Sequence, residues 1–346
     1  MINAALVSFG MSGRVFHAPF LNTNPSFNLV GSWERSQKSI QKFYPGTKSY
    51  ETYEALLQDE TIDLVIVNSP NDTHFEYAKL ALLSGKHVVV EKAFTVTSNE
   101  ALELDLIASK VNKQLAVYQN RRFDADFLTI QKLIRDGEIG SLLDVQISFE
   151  RYRTTLSPKV HKESPTPGAG LLMDLGPHLM DQALVLSGKP DAIFADIRTT
   201  RSMTLVDDYF MILLYYPTHR ITLTSGMVFM QQLPGYKIYG TKGCFIKYRS
   251  DVQESDLIAG KIPNTSDWGK ELPEHYGLLS TDNEGVIDIK TVPSIPGNYG
   301  LFYEQLANAI LNNGPVPVTA IEGANIIKLL EAARESSLTK KVVTIK

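Results

Sequence analysis

A single cysteine, Cys244, is all that 346 residues contain. One thiol makes no internal disulfide and no cysteine metal quartet, so the chain reads as one suited to a reducing, cytoplasmic setting. No apolar stretch approaches the ~18 residues of a membrane span; the longest, DLVIVNSP and KHVVVEKAF, soon meet polar residues. The opening lacks a basic segment, and Ala4 to Val7 is too short a run for an export signal. Long runs of one charge are missing too. With 34 basic against 38 acidic residues the formal net charge is -4, and nothing advertises nucleic acid or an anionic membrane as partner. Neither H-E-x-x-H nor G-x-S-x-G occurs, so zinc-hydrolase and serine-hydrolase readings gain nothing and no metal site is expected.

What is present is an ordinary globular balance, 43% hydrophobic and 21% charged, in a chain long enough for two domains. The first hundred residues alternate short apolar runs (AALVSF, FNLVGSW, DLVIVNSP, HVVVEKA, QLAVYQN) with helix candidates starting near Arg14, Ser36, Thr52, Thr73 and Asn99. Near-continuous apolar strands belong to a sheet buried on both faces. The pattern predicts a doubly wound parallel sheet over 1–119, with Ser98 or Asn99 capping its last helix. The remainder, 120–346, changes to longer alternating strands such as LLDVQISFERYR, DDYFMILLYY and HRITLTSGMV, which predict a large, mostly antiparallel open sheet. Helices are expected near Gly170 to Ser187, Tyr299 to Asn312 and over IEGANIIKLLEAARESSL, the last free to pack back on the first domain. The stretch 251–298 reads as loop.

After the first strand comes SFGMSGRVF, in which Ser8, Gly10, Met11, Ser12 and Gly13 occupy a turn of dinucleotide-binding type. Gly10 sits where the backbone must approach a pyrophosphate, and Gly13 opens a helix whose amides face it. Ser8 stands where the first glycine of G-x-G-x-x-G belongs, and Phe16 follows three residues beyond Gly13, so the helix must be set differently or the ring must pack beneath it. Glu34, 21 residues beyond Gly13, can hold ribose hydroxyls, while the adjoining Arg35 and Ser36 suit a 2′-phosphate.

Ligands of such sheets lie beyond the carboxyl ends of the strands. There DLVIVNSPNDTH offers Asn68, Ser69, Asn71 and His74, HVVVEKAF offers Glu91 and Lys92, and QLAVYQN ends in Asn120. Lys92 emerges from a valine run into the crevice, where Glu91 can orient it; a plain surface lysine is the alternative. In GLLMDLGPHLMDQA, helical spacing puts Asp174, His178 and Asp181 on one face. Asp174 and His178 can exchange and steer a proton, or merely hydrogen-bond each other. His17, His74, His87 and His219 read as local hydrogen-bonding residues, His74 at the rim of the crevice, and His161 lies on a loop.

Together VSFGMSGRVFHAPF, VVVEKAFT, YQNRRFDADF, GLLMDLGPHLMDQA and TSDWGKELPEHYG resemble the Gfo/Idh/MocA family of NAD(P)-dependent oxidoreductases, and within it the NADP-dependent scyllo-inositol 2-dehydrogenases. The resemblance implies an N-terminal Rossmann domain and a C-terminal α/β domain whose open sheet serves homo-oligomerisation as dimer or tetramer. It implies that Lys92 lies between nicotinamide and substrate, that Asp174 binds a substrate hydroxyl and that His178 is the general base, with Arg153 and Asn120 holding other hydroxyls. Ala93 replaces the proline of the family's E-K-P element, which frees the backbone after Lys92.

The expected activity is hydride transfer between NADP, or NAD, and a secondary hydroxyl of a cyclic polyol or sugar. Two alternatives stay open. One is a glycosidase that oxidises its substrate transiently with bound NAD; the other is a sugar- or dinucleotide-sensing regulator, a role that would not require Lys92 or His178.

Overall fold

The computed structural model describes residues 1–34, 38–157 and 163–346, so Arg35, Ser36 and His161 lie outside the described residues. Two compact units emerge. The first is Met1–Asn120 with Gln253–Trp268 and Asn298–Ile327; the second is Arg121–Val252 with Gly269–Gly297 and Lys328–Lys346. Two later stretches thus belong with the N-terminal unit, beyond the simple division after residue 119.

The first unit runs β1 (Ile2–Leu6), α1 (Ala18–Thr23), β2 (Phe27–Trp33), α2 (Ile40–Phe43), β3 (Lys48–Tyr50), α3 (Tyr53–Gln58), β4 (Leu64–Val67), α4 (His74–Leu83), β5 (His87–Glu91), α5 (Ser98–Lys110) and β6 (Leu115–Tyr118). Its strands lie in the order β3-β2-β1-β4-β5-β6, every neighbouring pair parallel. This is the Rossmann arrangement. Every residue of β4 and β6 is buried, as a sheet covered on both faces demands. The chain order reverses between β1 and β4, so their carboxyl ends flank the crevice where such sheets bind ligands. The three-residue β3 has no counterpart in the sequence pattern. The cap of α5 is Thr97 rather than Ser98 or Asn99, because Glu100 reaches back to the Thr97 amide while Thr97 accepts from the Glu100 amide.

The second unit begins with α6 (Ala125–Arg135), β7 (Leu142–Glu150), α7 (Leu171–Ser187), β8 (Ala192–Arg198), β9 (Tyr209–Tyr215), β10 (Arg220–Gly226), β11 (Tyr236–Gly240) and β12 (Gly243–Lys247). After α8 (Gln253–Ile258), which belongs to the first unit, it adds β13 (Gly277–Asn283) and β14 (Val286–Val292). Then α9 (Gly300–Asn312) returns to the first unit, α10 (Ala320–Thr339) is divided between the two, and β15 (Val343–Thr344) closes the chain. The sheet order is β14-β13-β12-β11-β7-β10-β9-β8-β15, antiparallel except for β7 against β10. Inward alternation supplies the core: Phe210, Ile212 and Leu214 of β9 are fully buried, and α7 lies against β7, β9 and β10.

The stretch 251–298 is not loop throughout: it carries α8 and the β13–β14 hairpin. Glu284 and Gly285 turn that hairpin with positive φ, and the Gly285 amide donates to Asp282 Oδ1 at 2.7 Å.

Candidate active site

In the first unit the turn after β1 is built by Asn68, beyond the end of β4. Asn68 Oδ1 accepts from the Ser8 amide at 2.9 Å, Asn68 Nδ2 donates to the Ser8 carbonyl at 2.8 Å, and the Ser8 hydroxyl donates to the Asn68 carbonyl at 3.0 Å. Ser8 therefore spends its hydroxyl within the fold. A Cβ at Gly10 would meet nothing within 4 Å, whereas one at Gly13 would strike the Ser8 carbonyl and the Asn68 amide. Gly13 is required by packing and Gly10 leaves open space above the turn. Met11 is exposed there, and Ser12 Oγ lies 3.4 Å from Asn68 Nδ2.

The third glycine of the motif is Gly13 itself, and the bulky Phe16 three residues on is accommodated by a wider turn. Residues Gly13–His17 form a π-helical turn, a feature that often marks functional sites. The Phe16 ring meets Tyr299 edge-on, and the Phe16 carbonyl accepts from the hydroxyls of Tyr118 and Tyr303, each at 3.0 Å. The same turn buries His17 completely beneath β5.

Glu34 is engaged within the fold. It is 8% exposed, its Oε1 accepts from the Ser39 amide and hydroxyl at 2.9 and 2.8 Å, and its Oε2 accepts from the Ile40 amide at 3.0 Å. The carboxylate anchors the start of α2.

His74 is likewise scaffolding. It is fully buried, with Nε2 at 2.9 Å from the Ser69 carbonyl and Nδ1 at 2.8 Å from that of Ala93; burial outweighs these contacts and holds the imidazole below its ordinary range. Ser69 Oγ accepts from Thr73 Oγ1, and Asn71 opens the short turn before α4. Lys92, half-buried, follows the end of β5 and is joined to the buried Ala93 by a cis peptide. Beyond the end of β6 stand Gln119 and Asn120, both buried; Gln119 Oε1 has no hydrogen-bond partner among the described residues.

In the second unit α7 carries the other constellation. Gly170, at φ 93°, precedes its first turn, where the Leu171 amide donates to the Asp207 carbonyl at 2.8 Å and the Leu172 amide to the Asp207 carboxylate at 2.6 Å. Asp174 and His178 lie one helical turn apart. The Asp174 side chain is 28% exposed with its carboxylate 3.6 Å from the Arg151 guanidinium, while His178 is 5% exposed. Asp181 is withdrawn from chemistry: Arg122 clamps both its oxygens at 2.7 and 2.8 Å in a buried pair. Arg153, two residues beyond Arg151, is exposed, and its amide donates to the Met227 carbonyl. Among the described residues no group of three or more His, Cys, Asp or Glu is placed to hold a metal, and no helix is long and apolar enough to cross a membrane.

Comparison with known proteins fits these two units. Residues 2–119 match the oxidoreductase family model for the NAD-binding Rossmann fold, and residues 131–345 match that for the C-terminal alpha/beta domain. The chain belongs to the Gfo/Idh/MocA oxidoreductase family. It is 36% identical over 344 residues to the scyllo-inositol 2-dehydrogenase (NADP(+)) IolW of Bacillus subtilis, covering 99% of this chain and 96% of that protein. It is 28% identical over 207 residues to glucose-6-phosphate 3-dehydrogenase of the same organism, covering 56% of this chain and 58% of that protein. Among solved structures, yvaA from Bacillus subtilis superposes with a TM-score of 0.97 at 35% identity, covering 100% and 98% of the two chains. An oxidoreductase from Bacillus cereus superposes with a TM-score of 0.91 at 30% identity, covering 100% and 99%.

As a Gfo/Idh/MocA oxidoreductase the protein uses NADP or NAD. The residues present fit such a cofactor: open space over Gly10, an enforced glycine at 13 and the unpartnered Gln119 amide oxygen at the carboxyl ends of the strands. Sequence reasoning left Gln119 and Arg151 without a role. Arg151 lies just past the end of β7, two residues before Arg153, and that spacing was its only signal.

Proposed function

We propose that this oxidoreductase reversibly oxidises a ring secondary alcohol of a cyclic polyol or sugar of the inositol kind, with NADP preferred over NAD. The observation that carries the reading is the α7 pair: a partly exposed carboxylate beside Arg151, and one turn on a nearly buried imidazole. Such a pair holds a hydroxyl with one group and exchanges its proton with the other. Its similarity to the inositol dehydrogenase IolW supports the substrate class.

When bound, the nicotinamide cofactor would supply the hydride acceptor or donor. The chain's own residues manage the alcohol. Lys92 holds the reacting oxygen and steadies negative charge on it as the proton leaves. His178 takes that proton in oxidation and returns it in reduction, and Asp174 holds a neighbouring hydroxyl. Arg153 and Asn120 serve further hydroxyls. Gly10, Met11, Ser12 and Gly13 receive the pyrophosphate, with Ser8 shaping the turn beneath them and Ser69, Asn71 and Glu91 lining the crevice.

The NADP preference follows from Glu34. A carboxylate committed to Ser39 and Ile40 offers nothing to ribose hydroxyls, whereas Arg35 and Ser36 provide a cation and a hydroxyl for a 2′-phosphate. We extend the reading to a homo-oligomer formed through the second unit's sheet, where Val286, Ile287 and Ile289 of β14 are exposed. Light scattering of the purified protein checks that part.

The test of function is an initial-rate assay with NADP and, separately, scyllo-inositol, myo-inositol and glucose. Turnover with an inositol and its loss in His178→Asn support the proposal. Absence of turnover with every cyclic polyol and sugar tried overturns it.

A further inference from the structure

His17 carries no role in the proposed chemistry, yet it is fully buried in a chain of hydrogen bonds that ends at Lys92. The Tyr303 hydroxyl lies 2.7 Å from His17 Nδ1 and 3.0 Å from the Phe16 carbonyl. On the other side of the ring, Nε2 lies 3.0 Å from Glu91 Oε1. The second carboxylate oxygen, Oε2, accepts from the backbone amide of Lys92 at 3.1 Å. The Tyr118 ring stacks obliquely on the imidazole at 4.6 Å and pairs across the strands with Glu91. Groups on the Gly13–His17 turn, β5, β6 and α9 therefore fix the imidazole against one carboxylate.

Burial by itself would push the Glu91 carboxyl up. Hydrogen bonding from His17, with the charges of His17, Lys92 and His74 around it, outweighs burial and holds it below its usual value. With Glu91 ionised, its Oε1 is the acceptor facing His17 Nε2. Tyr303, its phenol raised far above its ordinary range by burial and neighbouring charge, stays a hydroxyl throughout.

We propose that His17 is a positioning residue for Lys92: it locks the Glu91 carboxylate, which holds the Lys92 amide and fixes where that side chain leaves β5. The π-helical turn at Gly13–His17 is what brings the imidazole to this place, so the altered dinucleotide turn and the lysine are parts of one device. The inference rests on the role proposed for Lys92, and its test separates the two.

The variants are His17→Leu, which has no donor, and His17→Gln, whose amide can still donate to Glu91. In ¹⁵N-labelled full-length protein, the Lys92 amide is expected to exchange with solvent at least tenfold faster in His17→Leu than in wild type, with recovery in His17→Gln. With NADP and scyllo-inositol, kcat should fall about 100-fold in His17→Leu, the cost of a displaced catalytic group, while NADPH affinity changes less than about twofold. The pH profile of kcat should shift in the same variant. If His17→Leu does not fold, Tyr303→Phe, which removes only the hydroxyl that Nδ1 reaches, replaces it and should show a smaller change of the same sign. Unchanged Lys92 amide exchange in the variant used overturns the inference whatever the substrate. So does unchanged kcat alongside an inactive Lys92→Ala. An active Lys92→Ala removes the lysine's own role, which is a separate failure.

Discussion

Asn68 grips Ser8 by both ends of the peptide, accepting from its amide and donating to its carbonyl, and so replaces with a side-chain clamp what the missing first glycine of the motif no longer supplies. Each such hydrogen bond is worth roughly 0.5–1.5 kcal/mol. Asn68→Ala is therefore expected to loosen the turn and weaken NADPH binding about tenfold or more, read by fluorescence titration. Unaltered affinity would mean that the clamp does not shape the cofactor turn.

The two glycines of the turn should fail differently. Gly13→Ala drives a methyl into the Ser8 carbonyl and Asn68, and we expect a loss of several degrees in melting temperature, on the order of 1–3 kcal/mol as for overpacking. Gly10→Ala meets no protein atom and should melt like wild type while losing most NADPH affinity. Calorimetry beside titration distinguishes them.

Two carboxylates on α7 should also part company. Asp174→Asn is expected to lower kcat about 100-fold or more with little change in stability. Asp181→Ala removes the carboxylate that Arg122 holds with two nitrogens and should cost about 1.5–3 kcal/mol, seen in urea unfolding.

His87 gives a pH signature of the fold. Burial first, and the Lys113 charge second, push its imidazole down to about 4 from the ordinary 6.5, and its Nδ1 accepts from the Gln114 amide at 2.9 Å. The unfolded chain binds the proton more readily, so this stability is complete above about 6.5 and is lost as pH falls toward 4. The loss should total on the order of 2–3 kcal/mol between pH 7 and pH 4, and His87→Gln should flatten that part of the profile. Equal pH dependence in both proteins would remove His87 as the source.

The strands of the first unit other than β3 were legible because burial on both faces leaves unbroken apolar runs, and the spacing of Asp174 and His178 was legible because α7 is long. Other features depend on contacts that periodicity does not encode. A carboxylate at position 34 reads as a ribose acid until Ser39 and Ile40 are seen to occupy it. His17 reaches Glu91 through a π turn that shifts the helical face, and no repeat in the sequence signals that shift. The β14 strand was missed because nearly every residue is exposed, so apolar and polar positions do not alternate. Asp181 shared the face predicted for catalysis, but its partner Arg122 lies 59 residues away in the chain.

The central claim is NADP-linked oxidation of a cyclic polyol, and one measurement tests it most directly. The purified protein is mixed with scyllo-inositol and either NADP or NAD, and formation of the reduced nicotinamide is followed over time. The account predicts steady NADPH formation, at least about tenfold more efficient than NADH formation, as expected when one phosphate contact is gained. Binding of NADPH with no turnover of any inositol or sugar, or a clear preference for NAD, would contradict it.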